Sequence, residues 1–101
     1  MSYVASIIPT GSTQATAAPL QVARNYVYSG DPTGNYAVIL PVISTMEGWE
    51  LPVFNRTGFT ITIFPPVGGQ IETNTVNAGV QLLSGSVGRF SISPTGTIVL
   101  A

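Results

Sequence analysis

Phe59-Thr60-Ile61-Thr62-Ile63-Phe64 alternates side chains with the period of a β-strand and then meets Pro65-Pro66. Alternation puts Phe59, Ile61 and Ile63 on one side and Thr60, Thr62 and Phe64 on the other. Proline stops the segment because it has no N–H to give to a ladder. The same grammar runs along the chain. Leu20–Tyr28, Tyr36–Ile43, Trp49–Asn55, Gln70–Thr73, Gly79–Leu83, Val87–Ser93 and Thr97–Leu100 read as short strands. Between them lie turn formers such as Ser29-Gly30-Asp31-Pro32-Thr33-Gly34-Asn35, Thr45-Met46-Glu47-Gly48, Arg56-Thr57-Gly58 and Gly68-Gly69. Pro41 and Pro52 fall inside two candidate strands and favour sheet edges there. No stretch carries a helical period. Strands at this spacing build a sandwich or a barrel. The expectation is an all-β, single-domain antiparallel β-sandwich, jelly-roll-like, spanning residues 20–101.

Residues 1–19 differ. Pro9-Thr10-Gly11-Ser12-Thr13-Gln14-Ala15-Thr16-Ala17-Ala18-Pro19 is low in complexity and has no period. It reads as an extended N-terminal arm with a partner-binding anchor at Tyr3, Val4, Ile7 and Ile8. A frayed terminus or a first edge strand is the other reading of the same residues.

Charge narrows the function. The chain has three Arg, four acidic residues and no Lys, His or Cys. Without Cys there is no disulfide, thiol nucleophile or thiolate metal site. Without His the commonest general base and metal ligand are missing. No catalytic residue, metal site, cofactor or small-molecule substrate is expected. Arg24, Arg56 and Arg89 are scattered along the chain and read as partners for the acids, not as a nucleic-acid patch. No apolar run approaches the ~18 residues of a membrane helix, and the first residues lack the basic start of a signal peptide. Neither a membrane nor a nucleic acid is an expected partner.

Charged residues are 7% of the chain, against about 25% in ordinary soluble domains. Such a surface enters protein contacts with little charge to desolvate. Attachment to a partner should then depend little on salt. Glu47 and Glu50 flank Trp49 and are the only close carboxylates. A pair of carboxylates can hydrolyse a glycoside when the fold sets their separation, but a turn with two solvated acids is the simpler reading. Asn55-Arg56-Thr57 fits the N-glycosylation pattern, a triplet common by chance.

The stretch from Val53 to Ile71, Val-Phe-Asn-Arg-Thr-Gly-Phe-Thr-Ile-Thr-Ile-Phe-Pro-Pro-Val-Gly-Gly-Gln-Ile, resembles a pattern of small virion proteins of tailed bacteriophages. In that pattern an Asn-turn-Gly precedes an alternating strand, which ends in aromatic-Pro, a Gly-containing turn and an Ile. Val38-Ile39-Leu40-Pro41 fits its entry strand, and Val80-Gln81-Leu82, Gly85 and Phe90 fit its continuation. The match spans roughly residues 36–92. Glu72-Thr73 stand where the pattern often has Asn-Gly, Phe64 where it often has Tyr, and Ile98-Val99 where it often closes on Trp.

The resemblance implies a non-enzymatic structural protein on the capsid surface, made in the host cytoplasm. It implies a decoration or cement role, bridging subunits of the major capsid protein, as a homotrimer. Ile39, Trp49, Phe64 and Leu83 are the candidate subunit-interface residues; Ile39, Phe64 and Leu83 fall on the face opposite their strands' main apolar sets. The alternative is a phage tail, fibre or carbohydrate-binding sandwich that uses Trp49, Tyr26, Tyr28 or Tyr36 as stacking platforms.

Overall fold

A computed structural model describes residues 4–28, 36–42, 50–92 and 97–100. The described strands are β1 (Val4–Ile7), β2 (Ala18–Pro19), β3 (Arg24–Tyr28), β4 (Ala37–Ile39), β5 (Leu51–Arg56), β6 (Ile61–Phe64), β7 (Val80–Leu82), β8 (Val87–Ile92) and β9 (Ile98–Leu100). They form a five-stranded sheet, order β1-β3-β5-β8-β9, and a four-stranded sheet, order β2-β4-β6-β7. Among the described residues there is no helix.

The connectivity corrects the expected jelly-roll. The first six strands alternate between the sheets, so each turn of chain lays one strand in each. Successive turns pair in parallel: β1 with β3, β3 with β5, β2 with β4, and β4 with β6. Val4 lies opposite Arg24 and Ala18 opposite Val38, so the first turn of the winding takes twenty residues in both sheets. A parallel pair cannot be joined by a hairpin, and here the crossover is the strand in the other sheet. Only the last three strands close the sheets in antiparallel fashion. The architecture is a short two-sheet β-solenoid with a mixed, antiparallel finish. The all-β reading stands and the plain antiparallel sandwich does not.

The extended arm is corrected with it. Val4–Ile7 is hydrogen-bonded to β3 as the edge of the five-stranded sheet. Ala5 and Ile7 belong to the core. The segment that follows is a compact loop gathered on one hydroxyl. Thr16 Oγ1 accepts from the Ser12 and Thr13 N–H groups at 3.3 and 3.2 Å, and Thr10 Oγ1 donates to the Thr16 carbonyl at 2.8 Å. Low complexity here reflects threonine hydroxyls that bond their own backbone, as short polar side chains do in turns.

One core lies between the sheets. Ile7, Val27, Leu51, Val53, Phe90 and Ile98 fill it from the five-stranded sheet; Val38, Ile61, Ile63 and Leu82 fill it from the other. Phe59, expected beside Ile61 and Ile63, falls before the strand and is exposed, with its ring stacked on Tyr36 at 4.9 Å.

Two buried asparagines hold corners where the chain passes between sheets. Asn25 takes the Gln21 N–H on Oδ1 at 2.9 Å and donates from Nδ2 to the Gln21 and Ala23 carbonyls. Asn55 donates to the Phe59 and Leu82 carbonyls and accepts from Thr57. Both amide hydrogens of Asn55 are in use and the residue is fully buried. The Asn55-Arg56-Thr57 triplet is therefore a structural lock and not an accessible glycan acceptor.

Pro52 lies in β5, a central strand, which corrects its edge reading. Asn55 aims its N–H and C=O at Ser86 and Gly85, on the β8 side. Alternation turns residue 52 toward β3, where a donor would reach the Ala23 carbonyl. Asn25 Nδ2 already fills that carbonyl at 3.0 Å. The missing N–H of Pro52 therefore costs the sheet nothing.

Glu72 has φ +53° in the turn that Asn74 N–H closes onto the Ile71 carbonyl at 3.0 Å. The left-handed region costs an ordinary L-residue ~1–2 kcal/mol and costs Asn less. The carboxylate returns only a long contact, 3.5 Å from the Leu100 N–H. Glu72→Asn is expected to raise the unfolding free energy by about 0.5–1 kcal/mol in urea titrations. A loss of stability would mean that the Leu100 contact outweighs the backbone.

Candidate functional site

Alternation leaves one side of each strand outside the core, and the parallel register brings these sides together. On the five-stranded sheet, Ser6 lies opposite Tyr26, Tyr26 opposite Phe54, and Phe54 opposite Val87. The Tyr26 and Phe54 rings stack at 4.6 Å with 9° between planes. That separation matches the spacing of neighbouring strands, ~4.8 Å, so register alone produces the stack.

Arginines surround this pair. Arg24 places Cζ 5.6 Å from the centroid of the Phe54 ring, a cation–π contact. Arg56 is the register partner of Tyr28, and Arg89 that of Pro52. Arg89 meets Glu50 at 3.6 Å, with both side chains about half exposed. Exposed pairs of this kind contribute little to stability. Arg24, Arg56 and Arg89 are the whole basic complement of the chain. The expectation of scattered arginines is corrected: all three stand on the outer face of the five-stranded sheet. Neither Arg24 nor Arg56 has an ion-pair partner among the described residues. Val4, Tyr28 and Val87 add exposed apolar surface to the same face.

The four-stranded sheet has an apolar outer row. Pro19 lies opposite Ile39, and Ile39 opposite Phe64. The Phe64 ring and the Thr62 methyl cover the backbone at Gly79, where a Cβ would come within 3.0 and 2.7 Å of them. Because β4 and β6 run parallel, the chain leaves both at one end of the sheet. Leu40–Val42 and Pro66–Gly69 diverge there around an open apolar groove of about 490 Å³. The Pro66–Gly69 wall is a turn closed by Gly69 N–H on the Pro66 carbonyl at 2.7 Å, with Gly68 at φ +86°. Asn77 Oδ1 fixes that wall by accepting from the Gly68 N–H and from Gln14 Nε2. Val67 stands at its tip, 82% exposed.

The expected site residues divide accordingly. Tyr3 and Trp49 lie outside the described residues, as does Glu47. Of the anchor, Val4 and Ile8 are exposed, Ile8 at 62%, while Ile7 is buried. Ile39 and Phe64 are brought side by side. Leu83 is 65% exposed in the turn that leads from one sheet to the other, apart from that pair. Tyr26 and Tyr28 share a face, whereas Tyr36 is buried. The Phe54 platform, the arginine cluster and the Val42–Val67 groove are absent from the sequence reading. Alternation within Arg24–Tyr28 and Leu51–Arg56 gives the outward residues of each strand, but only the register joins the two sets.

Compared with known proteins, the chain matches no family model, no curated protein and no solved structure.

Proposed function

We propose that the chain is a non-enzymatic structural protein of a bacteriophage particle, a capsid decoration or cement protein that spans neighbouring subunits. The observation that carries this reading is two outer sheet faces with exposed apolar residues on a chain with seven formal charges. Ile39 and Phe64 on one sheet, with Val67 beyond them, suit contacts between copies about a threefold axis. The other sheet is left for the shell. The parallel winding suits a protein that must resist rupture, because each turn is hydrogen-bonded to the next along its strands.

The glycan-binding alternative draws on the shared face of Tyr26 and Tyr28. Tyr26 spends a ring face on Phe54, and Tyr36 is buried against Phe59. That leaves Tyr28 as the exposed ring among them, a small platform for a sugar.

Sedimentation of the full chain with empty shells from the same source tests the proposal, together with light scattering. Co-sedimentation is expected, with a species of about 31 kDa, three times the 10.5 kDa chain. Binding to a glycan array without binding to shells would replace the reading with the alternative. Polysaccharide turnover abolished by Glu50→Gln would remove its non-enzymatic part.

A further inference from the structure

We propose that the outer face of the five-stranded sheet docks on a carboxylate-bearing protein surface, with Arg24 and Arg56 as its charged anchors. The inference rests on the reading of the chain as a particle protein only in taking the partner to be a protein. The charge pattern is independent of that reading. A chain this poor in charge has gathered all its cations on one face, interleaved with Tyr26, Tyr28 and Phe54. Arginine and aromatic residues are the types enriched where protein interfaces hold their binding energy.

The geometry distinguishes the two guanidiniums that have no ion-pair partner among the described residues from the third. Arg89 is partly neutralised by Glu50. Arg24 rests on the Phe54 ring, which orients its planar fork and leaves its N–H donors for a bidentate carboxylate. Arg56 stands beside Tyr28 across the β3–β5 register. From Arg24 to Arg56 the strands span about 14 Å, by ~3.3 Å per residue and ~4.8 Å per strand. The two cations therefore bracket the aromatic pair, and a complementary surface needs two separated acids around an apolar centre.

Other occupants fit less well. Nucleic-acid affinity grows with the number of neutralised phosphates, and two or three guanidiniums offer few. A second copy of the same face would bring a face with three arginines against one acid, among the described residues, onto another of the same net sign. Among the described residues, the acids a second copy could offer are Glu50, already on this face, and Glu72, beside β9.

The test uses the full 15N-labelled chain titrated with poly-L-glutamate, with polygalacturonate and duplex DNA at equal charge as comparison arms. Poly-L-glutamate is expected to bind saturably at about 0.05 M NaCl, with shifts confined to β3, β5 and β8. Binding should fall at least tenfold at about 0.5 M, where the Debye length is about threefold shorter; this replaces the salt-insensitive attachment expected from composition, because the few cations are gathered on one face. The Arg24→Gln/Arg56→Gln double variant should bind at least tenfold more weakly, with its spectrum unchanged away from this face. Shifts elsewhere, equal binding by the variant, or tighter binding of DNA or polygalacturonate would overturn the inference. Shell sedimentation of the same variant separates the two readings. If wild type and variant both sediment equally with shells, the arginine face is not the contact and the particle reading stands. If neither sediments but poly-L-glutamate still binds this face, the particle reading fails and the acidic protein partner stands.

Discussion

A chain that begins at Pro19 is expected not to fold. The deletion removes β1 and the Ala18 half of β2. It takes Ala5, Ile7 and Ala18 out of the core and strips the β1-side partners from all of Arg24–Val27. Val27, now wholly buried, would then lie under an unprotected sheet edge. Losing one buried Ile side chain costs ~2–5 kcal/mol. With the backbone pairing and the Thr10–Thr16 loop gone as well, the total reaches on the order of 5 kcal/mol or more, comparable to the whole stability of a small domain. Circular dichroism during urea titration should show no cooperative transition. A transition within about 1 kcal/mol of the full chain's would reinstate a dispensable arm. Two adjacent point variants sharpen the test. Ile7→Ala should cost about 2–4 kcal/mol, while Ile8→Ala, at an exposed position, should stay within about 0.5 kcal/mol.

Ile7 and Ile8 also illustrate what the sequence makes legible. Both read as anchor residues because apolar identity was visible and the phase of the strand was not. Where alternation is long enough to fix the phase, the reading holds: Ile61 and Ile63 are buried and Phe64 points outward, with the Pro66–Gly69 turn beyond. Most strand positions were therefore legible from Leu20 onward, although Leu20–Tyr28 lost its first residues to the bend that Asn25 holds, and the expected strand Gln70–Thr73 is a turn with a single bridge from Ile71 to Ile98. Sheet assignment was not legible. In a hairpin the turn sets the register, but parallel neighbours here are twenty or more residues apart and share no side-chain pattern. Val4-Ala5-Ser6-Ile7 lies against Arg24-Asn25-Tyr26-Val27, and nothing in either string calls for the other. The arginine face was hidden for the same reason, since its members come from three strands that only the winding brings together. Pro52 misled because the edge rule assumes that a missing N–H leaves a carbonyl unpaired, and a side-chain amide had already filled it.

Asn55→Ala is expected to be the most damaging single polar substitution among the described residues. The amide joins three parts of the chain. Nδ2 donates to the Phe59 carbonyl at 2.7 Å, within the β5–β6 turn, and to the Leu82 carbonyl at 2.8 Å, at the end of β7 in the opposite sheet. Oδ1 accepts from the Thr57 N–H at 3.0 Å and from Thr57 Oγ1 at 2.7 Å. Alanine keeps the backbone pairing of residue 55 with Ser86 and Gly85 but takes this donor from Leu82 and this acceptor from Thr57. A buried polar group deprived of its partner costs ~1–3 kcal/mol, so the substitution should cost about 3 kcal/mol. At ~4–8 °C per kcal/mol for a domain of this size, Tm should fall by about 12–24 °C. Asn55→Asp should fall at least as far, because a carboxylate can still accept from Thr57 but cannot donate to Leu82 and would be a charge with no water around it. Asn25→Ala should cost less, about 1–2 kcal/mol, since its bonds close only the local bend at residues 21–23. Calorimetry on the three variants orders them. If Asn25→Ala proved as damaging as Asn55→Ala, the bend before β3 would matter to the fold as much as the link between the sheets, and the special weight given to the Leu82 contact would be lost.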